Sequence, residues 1–307
     1  MAVDLTARIG SVELPNPVMT ASGTAGHGAE LSAYVDLSSL GAVVVKSLSA
    51  EPWDGNPAPR VHPTDGGMLN SVGLQNPGVE AWREQELPAL LATGARVVAS
   101  VWGFTVEAYE KAATMLAECP PEVIAVEVNL SCPNLGSSHQ MFAHSPDATA
   151  AVIAATAVCR RPRWAKLSPN VANLTEIAGA ALEAGAESLT LVNTVMGMAI
   201  DPVTRTPRLG AGGGGLSGMA IRPVSVRAVY ECRRAHPHAG IVGVGGVARG
   251  EHAAELLVAG ADAVQVGTAT FADPRATATV LNELREWCER HSVARLTDLI
   301  GSVNGTA

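Results

Sequence analysis

The sequence predicts an α/β fold, a (β/α)8 TIM barrel with an N-terminal hairpin and long βα-loop insertions over its C-terminal face. Three observations carry that expectation. Short runs rich in Val, Ile and Leu on both faces alternate with longer amphipathic segments, as the strands of a buried parallel sheet alternate with covering helices. Four of these runs open on the same pair, Gly41-Ala42, Gly94-Ala95, Gly185-Ala186 and Gly260-Ala261, where a left-handed glycine ends a helix and a strand begins at once. The two longest connections, 47–80 and 194–220, both follow strand C-termini, the rim on which barrels build their sites.

In chain order, residues 5–14 with a Gly10-Ser11 turn read as a hairpin that plugs the barrel's bottom. Strands follow at 18–21, 42–46, 96–101, 123–129, 163–167, 188–192, 240–243 and 263–267. Helical segments fill 79–92, 105–118, 147–160, 174–184, 221–235, 250–259 and 275–290. No linker or low-complexity tract divides the chain, so residues 1–307 form a single domain. The first long connection holds Pro52, Pro57, Pro59 and Pro63 and predicts a rigid wall. The second holds the glycine cluster 210–215 and predicts a flexible flap.

Composition excludes several functions. A formal charge of −8 repels phosphate backbones, and basic residues cluster only at 160–163 and 233–234, so no nucleic-acid partner is expected. No apolar stretch approaches the ~20 residues of a membrane span, and the polar N-terminus makes no signal peptide. A cytoplasmic location is the expectation. The five cysteines, at 119, 132, 159, 232 and 288, are odd in number and scattered, which argues for reduced thiols rather than disulfides, zinc or an iron–sulfur cluster.

One thiol stands apart. The run Val126-Glu127-Val128-Asn129-Leu130-Ser131-Cys132-Pro133-Asn134 begins as a strand and stops at proline, which cannot continue a ladder. Cys132 is thereby placed at a strand exit instead of a core. Lysine usage points to the same rim. Of 21 basic residues only Lys46, Lys111 and Lys166 are lysine, and Lys46 and Lys166 both end apolar strands. A position that keeps lysine against such a bias toward arginine calls for a compact point charge.

The strand exits together read Ser22, Lys46, Ser100, Asn129, Lys166, Asn193, Gly245-Gly246 and Gly267-Thr268. Amides that both donate and accept suit the edge of a heterocycle, and lysines beside them suit an anion. No carboxylate stands at these exits, which argues against a hydrolytic dyad or a divalent-metal site. His27, His62, His139 and His144 share no metal-ligand spacing and read as solvated or capping residues. The segment Gly243-Val244-Gly245-Gly246-Val247-Ala248 mimics a dinucleotide fingerprint, but it lies near the C-terminus. A mononucleotide phosphate held by the last two strand exits is the better reading.

Taken together, these segments resemble the class 1 dihydroorotate dehydrogenases along essentially the whole chain. The similarity rests on Asn16-Pro17-Val18-Met19-Thr20-Ala21-Ser22-Gly23-Thr24, on residues 68–78, on Asn129 to Asn134, on Lys166-Leu167-Ser168-Pro169-Asn170, on Val192-Asn193-Thr194 and on Gly215-Leu216-Ser217-Gly218. The resemblance implies an FMN-bearing barrel that oxidises (S)-dihydroorotate to orotate in de novo pyrimidine biosynthesis. It implies Cys132 as the base that takes a proton while the flavin takes a hydride. It further implies Lys46, Asn70, Ser71, Val72, Gly73, Leu74, Asn129, Asn193 and Thr194 around the substrate. The flavin contacts it implies are Ser22, Lys46, Ser47, Ser100, Asn129, Lys166, Val192, Gly218, Gly245, Gly246, Gly267 and Thr268. Two departures stand out: Ser100 replaces a usual asparagine, and residues 135–144 are unlike the family's usual run.

The Gln75-Asn76-Pro77-Gly78 ending is more similar to the NAD-linked type (class 1B). That type implies an electron-transfer partner subunit carrying FAD and a [2Fe-2S] cluster, around a homodimer core within a heterotetramer. The alternatives are a fumarate-dependent class 1A enzyme acting alone and a dihydropyrimidine dehydrogenase-like flavin module. A flavin barrel acting on tRNA uridines is disfavoured by the acidic charge.

Overall fold

The computed structural model describes residues 3–131 and 141–303. Its centre is an eight-stranded parallel sheet: β1 (Val18–Thr20), β2 (Val43–Val44), β3 (Val97–Val101), β4 (Val123–Asn129), β5 (Arg163–Lys166), β6 (Ser188–Leu191), β7 (Gly240–Val244) and β8 (Ala263–Val266). Hydrogen bonding runs β1-β8-β7-β6-β5-β4-β3-β2. A parallel bridge between Met19 and Ala42 brings β1 back against the β2 end, so the sheet closes into a barrel as expected. The strands are buried almost throughout, which explains why both of their faces are apolar in sequence.

The covering helices are α1 (Leu87–Ala92), α2 (Val106–Leu116), α3 (Pro146–Ala155), α4 (Leu174–Glu183), α5 (Arg222–Ala235), α6 (Gly250–Ala259) and α7 (Ala276–Arg290). Side-chain caps start three of them: Thr105, Ser145 and Asn173 each accept a hydrogen bond from a first-turn backbone N–H. The connection from β1 to β2 holds only 3₁₀ turns, at Glu30–Ala33 and Leu37–Ser39. The eight repeats are therefore not all βα units.

Other boundaries differ from the sequence expectation for identifiable reasons. The segment 79–92 is not one α-helix: a π turn, Trp82–Glu86, precedes α1. Pro88 lacks an N–H and its ring crowds the carbonyl four residues back, so the ladder is displaced just before it. Helix α3 ends at Ala155 and continues as a 3₁₀ turn, Thr156–Cys159, to a left-handed Arg160. The shared glycine device holds at Gly94, Gly185 and Gly260, all at positive φ. Gly41 is different. Only the short 3₁₀ turn precedes it, with no α-helix, and a Cβ there would lie 2.5 Å from the Asn16 carbonyl oxygen, so its smallness lets β1 and β2 meet at the seam.

The N-terminal hairpin pairs Ala7–Ile9 with Val12–Leu14, burying Ala7, Ile9, Val12 and Leu14. At its turn Ser11 donates backbone and hydroxyl hydrogens to Glu187, which stands at the N-terminal end of β6. The hairpin thus plugs the bottom, as expected.

At the opposite rim the two long connections combine. Residues Val61–Thr64, Gly67–Asn70, Gly214–Ser217 and Val195–Gly197 form one four-stranded antiparallel sheet. The expected flap is therefore not loose: part of the glycine cluster is a central strand of this roof. Gly214 and Gly215 serve close approach. A Cβ on Gly214 would run into the Asn70 carbonyl, and one on Gly215 into the Thr194 side chain. Gly214→Ala should therefore destabilise the roof by about 1–3 kcal/mol, the range for overpacking. Thermal unfolding should show a lower midpoint, and an unchanged midpoint would argue against this packing role.

Candidate active site

A cavity of about 430 Å³ opens between the barrel mouth and the roof sheet. Every site residue expected from sequence lines it except two. Ser100 stands behind the wall, fully buried, with its hydroxyl 2.9 Å from that of Ser47. Cys132 lies outside the described residues, as do Asn134 and His139. Its neighbours in the chain do bear on it: Ser131 and Met141, which bracket the undescribed stretch, both line the cavity.

Strand geometry explains how the polar side chains converge. Asn129 ends β4 and pairs in register with Lys166 at the end of β5, so an amide and an ammonium leave the barrel side by side. Asn193 follows β6, and its Nδ2 donates to Asn129 Oδ1 at 3.2 Å. Asn129 Nδ2 in turn donates to Ser47 Oγ at 3.4 Å, and Ser47 lies 3.1 Å from Ser22 Oγ. One hydrogen-bonded chain thereby links the exits of β1, β2, β4 and β6. Ordered this way, the amides lose little further entropy on meeting a ligand.

The roof supplies the other wall. Asn70 Nδ2 donates to the Gly215 carbonyl at 3.4 Å, and Asn56 Nδ2 holds Ser71 Oγ at 2.7 Å. The indole of Trp53 donates to the Gly73 carbonyl, while Gly73 and Leu74 both adopt left-handed φ. Asn170 is a clasp: its Nδ2 donates to the Thr194 carbonyl and to Ser168, and its Oδ1 accepts from Met196 N–H. Asn76 clasps the other connection, bonding Ser49, Leu74 and Gly78 at once. At the far end, Gly218 stands close enough to Gly67 that a Cβ would approach its Cα to 2.6 Å, and Thr268 Oγ1 donates to Ser217.

Electrostatically the cavity is cationic. Lys46 and Lys166 line it, and no Asp or Glu does among the described residues. Just beneath, Glu127 is fully buried and accepts from Lys166 Nζ at 3.3 Å and from Gln265 Nε2 at 2.8 Å. Sequence reasoning missed this carboxylate because it counted only strand exits, and Glu127 lies two residues earlier. Its signal was visible as a single acid inside the apolar run of β4. Asn56, Ser168 and Asn170 were also missed as lining residues, since each becomes relevant only through the roof sheet.

His27 is neither solvated nor a simple cap. Burial first, and the Lys46 charge second, hold its imidazole below the ordinary histidine value. Its Nε2 is buried without a hydrogen-bond partner among the described residues.

The remaining cysteines are inert by position. Cys119, Cys159, Cys232 and Cys288 are buried and unpaired, and burial pushes all four thiols up, Cys232 to about 12. No helix of the described residues is long and apolar enough to cross a membrane.

The fold and cavity define a (β/α)8 barrel protein with a cationic, amide-rich ligand site at its C-terminal mouth. The chain belongs to the dihydroorotate dehydrogenase family of oxidoreductases: the family model described as "Dihydroorotate dehydrogenase" matches residues 4–287. It is similar to a protein of Solibacter usitatus named "Putative dihydroorotate dehydrogenase A (fumarate)", 47% identical over 99% of both chains. It is also similar to "Dihydroorotate dehydrogenase B (NAD(+)), catalytic subunit" of Pelobacter propionicus, 44% identical over 99% of both chains. The protein of that same name from Trichlorobacter lovleyi is 43% identical over 98% of this chain and 99% of its own.

The four buried thiols give a direct check on the site. A raised pKa means less thiolate at any given pH, so these cysteines should resist iodoacetamide in the folded chain from pH 7 to 9. All four should label once the chain is unfolded. Mass mapping of alkylated peptides tests this, and rapid labelling of any of the four in the native state would contradict the burial.

Proposed function

We propose that this chain oxidises (S)-dihydroorotate to orotate with a bound FMN, as the catalytic component of an NAD-linked system. The observation that carries the reading is the cavity itself, which gathers Lys46, Lys166, Asn70, Asn129 and Asn193 on one lining free of described carboxylates. That donor set suits an anionic heterocycle with imide and carboxylate edges. The fit to FMN rests on the same chemistry. The cavity is of ligand size, and its lining brings together the charge of Lys46 and Lys166 with the glycine exits Gly245-Gly246 and Gly267-Thr268. FMN, when bound, supplies the acceptor for a hydride.

The chain's own residues do the rest. Asn70, Asn129, Asn193 and Thr194 hold the substrate ring, with Ser71, Val72, Gly73 and Leu74 forming the adjoining loop. Lys46 neutralises substrate and cofactor charge together. Ser22, Ser47, Val192 and Gly218 frame the flavin, and Ser100 acts on it through Ser47. Cys132 takes the proton from the carbon next to the carbonyl. Its sequence position between Asn129 and the proline supports that role, as do the cavity-lining residues on either side of its segment. A free thiol has a pKa near ~8.5, so work as a base at neutral pH requires its thiolate to be favoured.

Cys132→Ala should keep flavin and orotate binding but slow flavin bleaching by dihydroorotate by about 10²–10⁴-fold. Cys132→Ser should recover part of the rate only at high pH. Stopped-flow absorbance of the flavin checks both, and near-normal bleaching in the alanine variant would exclude the role.

For the acceptor, the names of the Pelobacter and Trichlorobacter relatives and the Gln75-Asn76-Pro77-Gly78 ending support NAD⁺ and a catalytic subunit that works with another; a partner bearing FAD and [2Fe-2S] is what the family resemblance adds. The name of the Solibacter relative favours a second reading, fumarate reduction by the barrel alone. The isolated chain should bleach with dihydroorotate and reoxidise with dyes, yet hardly reduce NAD⁺ until the partner is added. Efficient fumarate turnover would move the assignment to the partner-free type, and a chain that takes up no FMN would overturn the reading altogether.

A further inference from the structure

Glu127 is the one fully buried carboxylate among the described residues, and its surroundings are unusual. It is fully buried inside the barrel, one layer below Asn129 on the same strand. One carboxylate oxygen accepts from Lys166 on neighbouring β5, and the other accepts from Gln265 on β8. In the strand order β8 lies opposite β4, so the hydrogen bond to Gln265 crosses the barrel. Gln265 Oε1 is buried and has no partner among the described residues, so the orientation of its amide is set by Glu127. Lys166 is the only member of the three that lines the cavity.

A buried acid with no contact to the cavity is costly to keep, since desolvating each ion is worth several kcal/mol. The interior could have been filled with apolar side chains. What the carboxylate provides is a counter-charge directly behind a cavity-facing ammonium. It occupies one of the three N–H bonds of Lys166 and leaves the others to a ligand. We propose that Glu127 is a positioning residue that orients Lys166 and sets the net charge beneath the flavin, and so holds the flavin's reduction potential below what an uncompensated lysine would give. This rests on FMN binding as proposed above.

The balance is simple. Hydride transfer from dihydroorotate brings two electrons and one proton to a neutral flavin ring, which therefore gains one negative charge. Lys166 alone favours that charged product. Glu127 opposes it by one unit of charge from the same side. Replacing Glu127 with Gln keeps the shape and an acceptor for Lys166 but removes the charge, so reduced flavin should bind relatively more tightly.

The test uses the full-length chain. FMN affinity of the apoprotein is measured by flavin fluorescence, and the potential of the loaded protein by dye equilibration. In Glu127→Gln the ratio of reduced to oxidised FMN affinity should rise about tenfold, a potential roughly 30 mV more positive for a two-electron couple. A change below threefold, or one in the opposite direction, overturns the proposal, because a residue that merely filled space would leave the potential where it was. The swapped variant Glu127→Gln with Gln265→Glu returns one carboxylate to the cluster and should restore the wild-type ratio within twofold. It also decides the matter if the single variant does not fold: a folded swap whose ratio departs more than twofold from wild type overturns the charge argument. A wild-type chain that takes up no FMN would instead overturn the functional reading on which this rests.

Discussion

The ion pair between Lys166 and Glu127 is the interaction around which the rest of the site is arranged. A charged pair inside a closed barrel has no water to fall back on, so its geometry must be supplied by the strands. Three of them are committed to it: β5 carries the cation, β4 the anion, and β8 the amide that satisfies the second carboxylate oxygen. The register that places Asn129 beside Lys166 also sets Glu127 one layer lower, so the cavity-lining amide and the buried counter-ion are fixed by the same ladder. A one-residue slip would turn both side chains of β4 out of the interior at once. The bottom hairpin and the Gly41 seam matter to the site for the same reason, since they keep that barrel closed.

The second constraint is the roof. Asn70 and Thr194 come from connections more than a hundred residues apart, yet each touches the strand Gly214–Ser217 between them. Antiparallel pairing makes their spacing a property of backbone geometry rather than of loop fluctuation. The clasps formed by Asn170 and Asn76 then hold the ends of those connections to the barrel. Glycine is required in this strand because neighbouring backbone and side chains leave no space for a Cβ, the reverse of the usual association of glycine clusters with mobility.

This is also where sequence reasoning succeeded and failed. Barrel strands were legible because burial on both faces leaves an uninterrupted apolar run, and their C-terminal residues could be read off as a rim. Lys46, Asn129, Lys166 and Asn193 were found that way. The roof was not legible: Gly214-Gly215 has no strand propensity, and its pairing with Gly67–Asn70 is a long-range contact with no local signal. Gly41 looked like the other three glycines because the dipeptide is identical, although no α-helix stands before it. Glu127 escaped for a different reason. A reading confined to strand exits cannot see a polar layer beneath them, and a lone acid in an apolar strand is the trace that layer leaves.

The distribution of charge follows from the same arrangement. The chain as a whole carries −8, so its far field repels anions. Within the cavity the balance reverses, because Lys46 and Lys166 line it while Glu127 lies behind Lys166 and does not. Screening limits the far field to roughly 10 Å in ordinary salt, whereas charges in a partly enclosed pocket are screened much less. An anionic ligand that has entered therefore experiences the lysines more strongly than the overall charge. Net charge and site charge are separate quantities here, because both lysines line the cavity while Glu127 meets it only through Lys166.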